Sequence, residues 1–254
     1  MPRVAVPRTS GGRTLAFRII AGLFGSITLV FTLLFLVGSF TDETQSVHRF
    51  HNLGGAVGYG LLLPVPLLFC AWRPMQTAVF RLTWAVALAS IVGGLVAGDF
   101  VSGTYFVAPI VFVILILLHP AREELFRFER PDAPELALAL VAAVPLVVYA
   151  WNQADLMSLV DPSNDPTGHW EMHHWSGMAV TALSLVLAAA LTAFGGRARR
   201  TAAWLVGVGG MLLGLGSLAY PDLPSVFDTP WAVAALVWGA AYVVAGELLD
   251  RRSG

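Results

Sequence analysis

Apolar runs long enough to cross a lipid bilayer recur along this 254-residue chain and restrict what it can fold into. A transmembrane helix needs about 20 predominantly apolar residues, and lipid tolerates no unpaired backbone polar groups. The runs show no apolar–polar alternation, so helices are expected rather than the strands of a barrel. The sequence therefore predicts an all-α, polytopic membrane protein with eight spans, at about residues 17–40, 54–72, 82–98, 103–119, 135–151, 175–194, 202–220 and 231–248.

The basic residues are unequally distributed over the connections between these spans. All fifteen are arginine, and fourteen of them fall on one side of the eight-span arrangement, with only Arg49 on the other. By the positive-inside rule that side faces the cytoplasm, so both termini are predicted to be cytoplasmic. The absence of lysine excludes a retinal Schiff base, and the single Cys70 excludes an intrachain disulfide. Usage rich in alanine, arginine and glycine favours a bacterial protein of the cytoplasmic (inner) membrane.

The chain reads as an internal duplication. The residues that follow His51 resemble those that follow His174, and Asp99 corresponds to Asp222 at the same offset of 123. Four spans per half is an even number, so the two halves would share one orientation in the membrane. The predicted organisation is a four-helix half over residues 1–119, a cytoplasmic linker with a short interfacial helix over residues 120–134, and a second four-helix half over residues 135–254.

Five of the six histidines lie on the outer side, at the starts of spans two and six. His48 and His51 are three residues apart, so they would share one face of a helix that extends span two outward. Glu171 and His174 repeat this spacing 123 residues later. Imidazole and carboxylate groups together suit Zn²⁺, Cu²⁺ or non-haem iron. The sequence therefore predicts a metal site at the outer face.

Further side chains on the same face extend the candidate set. His169 and His173 are four residues apart, and Asp99 and Asp222 could be ligands or acceptors that fix the tautomer of a ligand imidazole. The alternative is a belt of solvated histidine and tryptophan side chains at the lipid–water boundary, which needs no metal and responds to pH near neutrality. The predicted metal ligands are His48, His51, His169, Glu171, His173, His174, Asp99 and Asp222.

These features together are similar to the haem A synthase family, a doubled four-helix bundle with histidines at the outer ends of spans two and six. Residues 171–174 (Glu-Met-His-His) resemble its Glu-x-x-His pattern, and residues 48–49 (His-Arg) its His-Arg pair. The resemblance implies bis-histidine ligation of haem by His51 and His174. The chain departs from the family in spans four and eight, because the only histidine near them, His119, lies at the opposite face from the family's ligands. Uncharacterised bacterial membrane proteins of the same doubled type are as similar and imply no activity.

Three classes of function follow. The first is a membrane metalloprotein or haem protein; if it is an enzyme, Glu171 or Asp99 would serve as general base. The second is a non-catalytic subunit or assembly factor of a larger membrane-protein complex, and the third is a transporter. No charged residue lies in the middle of a predicted span, which disfavours an ion pathway. The expected partners are the lipid bilayer and such a complex, and the net charge of −1 gives no reason to expect nucleic acid.

Overall fold

All regular secondary structure is helical in the computed structural model, which describes residues 11–99 and 104–253. Two of the fourteen arginines counted above, Arg3 and Arg8, lie outside the described residues. So does Gly103, the predicted start of the fourth span. Short 3-10 helices cover Glu43–His48 and Pro162–Asn164, and a π-helix covers Ala56–Leu61. The α-helices are α1 (Gly11–Thr41), α2 (Arg49–Gly55), α3 (Pro64–Trp72), α4 (Thr77–Val96), α5 (Thr104–Leu118), α6 (Arg122–Leu125), α7 (Ala133–Leu159), α8 (His174–Ala193), α9 (Arg199–Ala219) and α10 (Thr229–Ser253).

Seven helical segments in the described part of the chain are long and apolar enough to cross a membrane. They are Gly11–Thr41, Ser46–Trp72, Thr77–Val96, Ala133–Leu159, His174–Ala193, Arg199–Ala219 and Thr229–Leu249. The prediction of an all-helical, multi-pass membrane protein is thereby confirmed. The predicted fourth span corresponds to α5, which is shorter, with 15 described residues.

The predicted second span is not one continuous α-helix. The Leu62 N–H donates to the Val57 carbonyl at 3.0 Å, which is the five-residue spacing of a π turn. Proline has no N–H and its ring clashes with the preceding turn, so Pro64 cannot continue the α2 ladder and begins α3 instead. The π turn therefore separates the segment that carries the histidines from α3.

Helices α4 and α8 lie at the centre of the bundle and pack against each other. Helix α8 also lies close to α2 and the π-helix. A Cβ on Gly54 in α2 would overlap Met178 Sδ, and one on Gly58 in the π-helix would lie 2.6 Å from Thr181 Oγ1. Thr181 Oγ1 donates to the Gly54 carbonyl at 3.1 Å. This close approach at glycine brings the N-terminal ends of α2 and α8 together.

The two ends of α4 mark the two ends of the bundle. Arg81 in its second turn is 1% exposed. It donates to the carbonyl of Leu125, the last residue of α6, and to that of Gly195 in the connection α8–α9. Asp99 follows the last turn of α4 and lies roughly 27 Å from Arg81 along the helix axis, at a rise of about 1.5 Å per residue. We call these the arginine end and the histidine end. At the arginine end, helix in the predicted linker 120–134 consists of α6, whose Leu125 is buried, and the first two residues of α7.

Candidate metal centre

Four of the five predicted outer histidines meet at the histidine end. His48 is the last residue of a 3-10 helix and His51 lies in α2, while His169 lies in a turn and His174 begins α8. Five of the ring pairs in this group have centroids 4.5 to 5.5 Å apart. We call these four residues the imidazole cluster. The rings come from two distant stretches of the chain, residues 48–51 and 169–174, so the cluster is a product of the tertiary fold.

Three members of the cluster have the spacing of a metal site. The ligand atoms of His48, His169 and His174 all lie within 4.8 Å of one another. The Nδ1 atoms of His48 and His174 are 3.0 Å apart. Two nitrogens bound tetrahedrally to Zn²⁺ at 2.0–2.1 Å would be roughly 3.3 Å apart. A movement of a few tenths of an ångström would therefore admit an ion between these two rings.

His169 is held in one tautomer by its neighbours. The Thr167 hydroxyl donates its only proton to Asp165 Oδ1, so it must accept a proton from His169 Nδ1, with which it is in contact. The lone pair of the neutral ring is then on Nε2. This atom is buried and has no hydrogen-bond partner, and the residue is 1% exposed. A buried acceptor without a partner is unfavourable, and a bound cation would satisfy it.

The electrostatic environment keeps His169 neutral. Burial lowers the pKa of His169, and the nearby Asp165 carboxylate and Val47 carbonyl oppose this shift only in part. Burial also acts to raise the pKa of Asp165, but hydrogen bonds from Thr167 and from the Trp170 N–H outweigh it and lower that pKa. An ionised Asp165, a hydroxyl and a neutral imidazole therefore form a short relay. Such a relay is the usual way in which a metal-binding histidine is oriented.

His173 and Asp99 form a separate pair beside the cluster. His173 Nδ1 lies 2.8 Å from Asp99 Oδ2, which also accepts a hydrogen bond from Ser176 at 2.7 Å. His173 has a positive φ of 55°, an uncommon conformation for a non-glycine residue, at the start of α8. The sequence predicts Asp99 to be a ligand or an acceptor that fixes a ligand imidazole; it lies against His173, which is outside the group of converging ligand atoms. This pair anchors the turn that delivers His174.

Glu171 and Asp222 are exposed and are not among the three residues whose ligand atoms converge. The expected pairing of Glu171 with His174 on one helical face does not occur, because residues 170–173 form turns and α8 starts at His174. His169, two residues before Glu171, lies beside His48 in the cluster instead.

Sequence reasoning missed the side chains that orient the rings. Thr167 and Asp165 act on His169, while Ser225 and Gln153 act on His51. The closeness of Asp165 and Thr167 to His169 in sequence is a usable signal, because Asp two residues before a hydroxyl residue favours a local side-chain turn. Ser225 and Gln153 come from distant parts of the chain and give no local signal.

Comparisons of the chain with protein-family models, with curated proteins and with solved structures return no match. The assignment of this centre therefore depends on its own geometry and chemistry.

Proposed function

We propose that this membrane protein binds a transition-metal ion through His48, His169 and His174, on the outer side of a bacterial cytoplasmic membrane. The observation that carries the proposal is the convergence of three imidazole ligand atoms within 4.8 Å. The fixed tautomer of His169, whose buried Nε2 has no other partner, supports it independently. Neutral imidazoles suit Zn²⁺, Cu²⁺ and iron.

The outer location follows from an eight-span topology with both termini in the cytoplasm. Asp99 lies at the histidine end, whereas the Leu125 carbonyl contacts Arg81 at the arginine end, so the chain crosses the bundle between them. Helix α5 is the segment available for this crossing. Counting α5 as a span gives eight, and the positive-inside rule then places the arginine end in the cytoplasm.

The helix pairings support two tandem halves, residues 1–119 and 135–254, joined by the linker 120–134. Suppose that α2–α3 in the first half corresponds to α8 in the second, and α4 to α9. The contact between α4 and α8 then has a counterpart, which is the contact of α9 with α2 and the π-helix. Both contacts are present. The pairs α1–α3 and α7–α8 correspond in the same way, as do α4–α5 and α9–α10. Each half then contributes two members of the imidazole cluster.

The geometry favours an ion over a haem. In bis-histidine ligation the two rings stand on opposite faces of the macrocycle. The rings of His51 and His174 are nearly parallel, with an interplanar angle of 9°, and their centroids are only 5.0 Å apart. His169 lies 4.7 Å from His51 as well. This spacing leaves no room for a porphyrin between them.

The test is metal analysis of the full-length protein purified in mild detergent, followed by titration with Zn²⁺ and Cu²⁺. We expect one ion per chain, and we expect H169N and H174N each to weaken binding by about 100-fold or more. The matched control is H119N, because His119 is also buried but packs against Phe80 near the arginine end, away from the cluster. Equal binding by the wild type, H169N and H174N would refute the proposal. An absorption spectrum with a Soret band would instead indicate haem.

A further inference from the structure

The fourth imidazole of the cluster has an atom for which the protein provides no partner. His51 is 4% exposed, and its Nδ1 is buried without a hydrogen bond. Its ring centroid lies 4.7 Å from that of His169 and 5.0 Å from that of His174. A buried polar atom without a partner is unfavourable, so its presence in the folded protein needs a reason.

The other ring nitrogen shows which tautomer His51 adopts. His51 Nε2 lies 3.0 Å from Ser225 Oγ, and Ser225 Oγ donates to Gln153 Oε1 at 2.6 Å. A hydroxyl has one proton, so Ser225 accepts the hydrogen bond from His51 Nε2–H. The neutral ring then carries its lone pair on Nδ1. His51 thus carries a free lone pair on a buried atom, as His169 does through the Asp165–Thr167 relay. The ligand atoms of His51 are not among those that converge within 4.8 Å, so the His51 ring must turn or shift to reach the same ion.

The segment that holds Ser225 is kept in an unfavourable conformation. Ser225 has a φ of 67°, a left-handed conformation that is uncommon for a residue other than glycine. Its carbonyl accepts a hydrogen bond of 2.7 Å from the Tyr149 hydroxyl. Tyr149 and Gln153 are four residues apart on α7 and so lie on one face of that helix. Two side chains of α7 therefore fix Ser225 at its backbone and at its hydroxyl.

We propose that His51 Nδ1 is the fourth ligand of the metal ion, with Ser225 and Gln153 as its positioning residues. This inference rests on the proposed metal binding by His48, His169 and His174. Four protein ligands fill a tetrahedral coordination sphere, as in structural metal sites, whereas catalytic zinc sites keep one position open for water. The resting site is then closed, so the ion holds the outer ends of the two halves together or carries an electron. It does not activate water in this state.

The test counts nitrogen ligands in the full-length protein. Zn²⁺-loaded protein is examined by X-ray absorption, and Cu²⁺-loaded protein by electron paramagnetic resonance. We expect four imidazole nitrogens in the wild type, and three nitrogens plus an oxygen in H51N. A wild type with three nitrogens and an oxygen, unchanged by H51N, would refute this inference and leave the three-histidine site intact. A wild type that binds neither ion would refute both proposals.

Two substitutions at Ser225 separate positioning from backbone strain. S225A removes the hydroxyl and keeps the strained φ, whereas S225G removes the hydroxyl and relieves the strain. We expect both variants to weaken Zn²⁺ binding by about 10–100-fold, the usual effect of losing a residue that orients a metal ligand. S225G should meanwhile unfold at a higher temperature than S225A. Wild-type affinity in both variants would show that the hydroxyl does not orient His51.

Discussion

The guanidinium of Arg81 connects three segments at the arginine end, and its removal should destabilise the bundle. Its nitrogens donate to four backbone carbonyls, those of Glu124, Leu125, Arg127 and Gly195, at 2.7–3.1 Å. In R81M these carbonyls lose their hydrogen-bond donor. Because water replaces the donor only in part, each carbonyl lowers the free energy of unfolding by about 1 kcal/mol. The methionine does not carry the buried charge of Arg81, and the saved desolvation cost offsets part of this loss. We therefore expect a net destabilisation of about 3 kcal/mol.

For a chain of this size, 1 kcal/mol corresponds to about 2–4 °C, so the unfolding midpoint of R81M should fall by roughly 6–12 °C. Tryptophan fluorescence of the detergent-solubilised protein during heating measures this midpoint. The matched control is R73M, since Arg73 is exposed and only stacks on Trp72, 4.4 Å from its ring. Zn²⁺ stoichiometry should be unchanged in both variants because the histidine end is distant. An R81M midpoint equal to that of R73M would refute this account.

Three further predictions concern the histidine end. G58A should lower stability by about 1–3 kcal/mol, because the new methyl group overlaps Thr181, and should also weaken Zn²⁺ binding. G55A, with open space around its Cβ, should change neither quantity in calorimetry and titration. Zn²⁺ at 100 times its dissociation constant should stabilise the wild type by about 2.7 kcal/mol. This stabilisation should appear as a rise in unfolding temperature that EDTA reverses. The unfolding temperature of H169N should hardly change on addition of Zn²⁺. Finally, burial lowers the pKa of His169 in the folded chain, whereas an unfolded histidine titrates near 6.5. The stability of the apo protein should therefore fall as the pH decreases below about 6.5, with a shallower slope in H169N, and a pH-independent wild type would contradict this.

The sequence predicted the helices and the end of the bundle at which the site lies, for simple physical reasons. Apolar runs of membrane length have few alternatives to helix, and their ends are restricted by the lipid boundary. His48, His51 and His174 immediately adjoin such runs. Their meeting could therefore be anticipated, because the predicted duplication puts the starts of spans two and six on one face.

The remaining part of the site could not be predicted because turns and distant contacts determine it. The offset of 123 pointed to Glu171 as the counterpart of His48, but this assumed a helix before His174, where the chain forms turns. Hydrogen bonds that Asp165 accepts shape this stretch and bring in His169. Ser225 is 174 residues from His51, so no local pattern connects them.

The asymmetry of the turns has a chemical consequence. A strictly repeated site would have included the Glu171 carboxylate, which would neutralise part of the charge of a divalent ion. The observed cluster consists of imidazoles alone, and the nearest relay to an anion passes through Thr167 to Asp165. A neutral ligand set leaves the full charge on the ion. It also favours metals that prefer nitrogen ligands over Mg²⁺ and Ca²⁺, which prefer oxygen. The repeat predicts a carboxylate, that of Glu171, where the cluster has an imidazole. This difference follows from the turn that precedes α8 in place of the predicted helix.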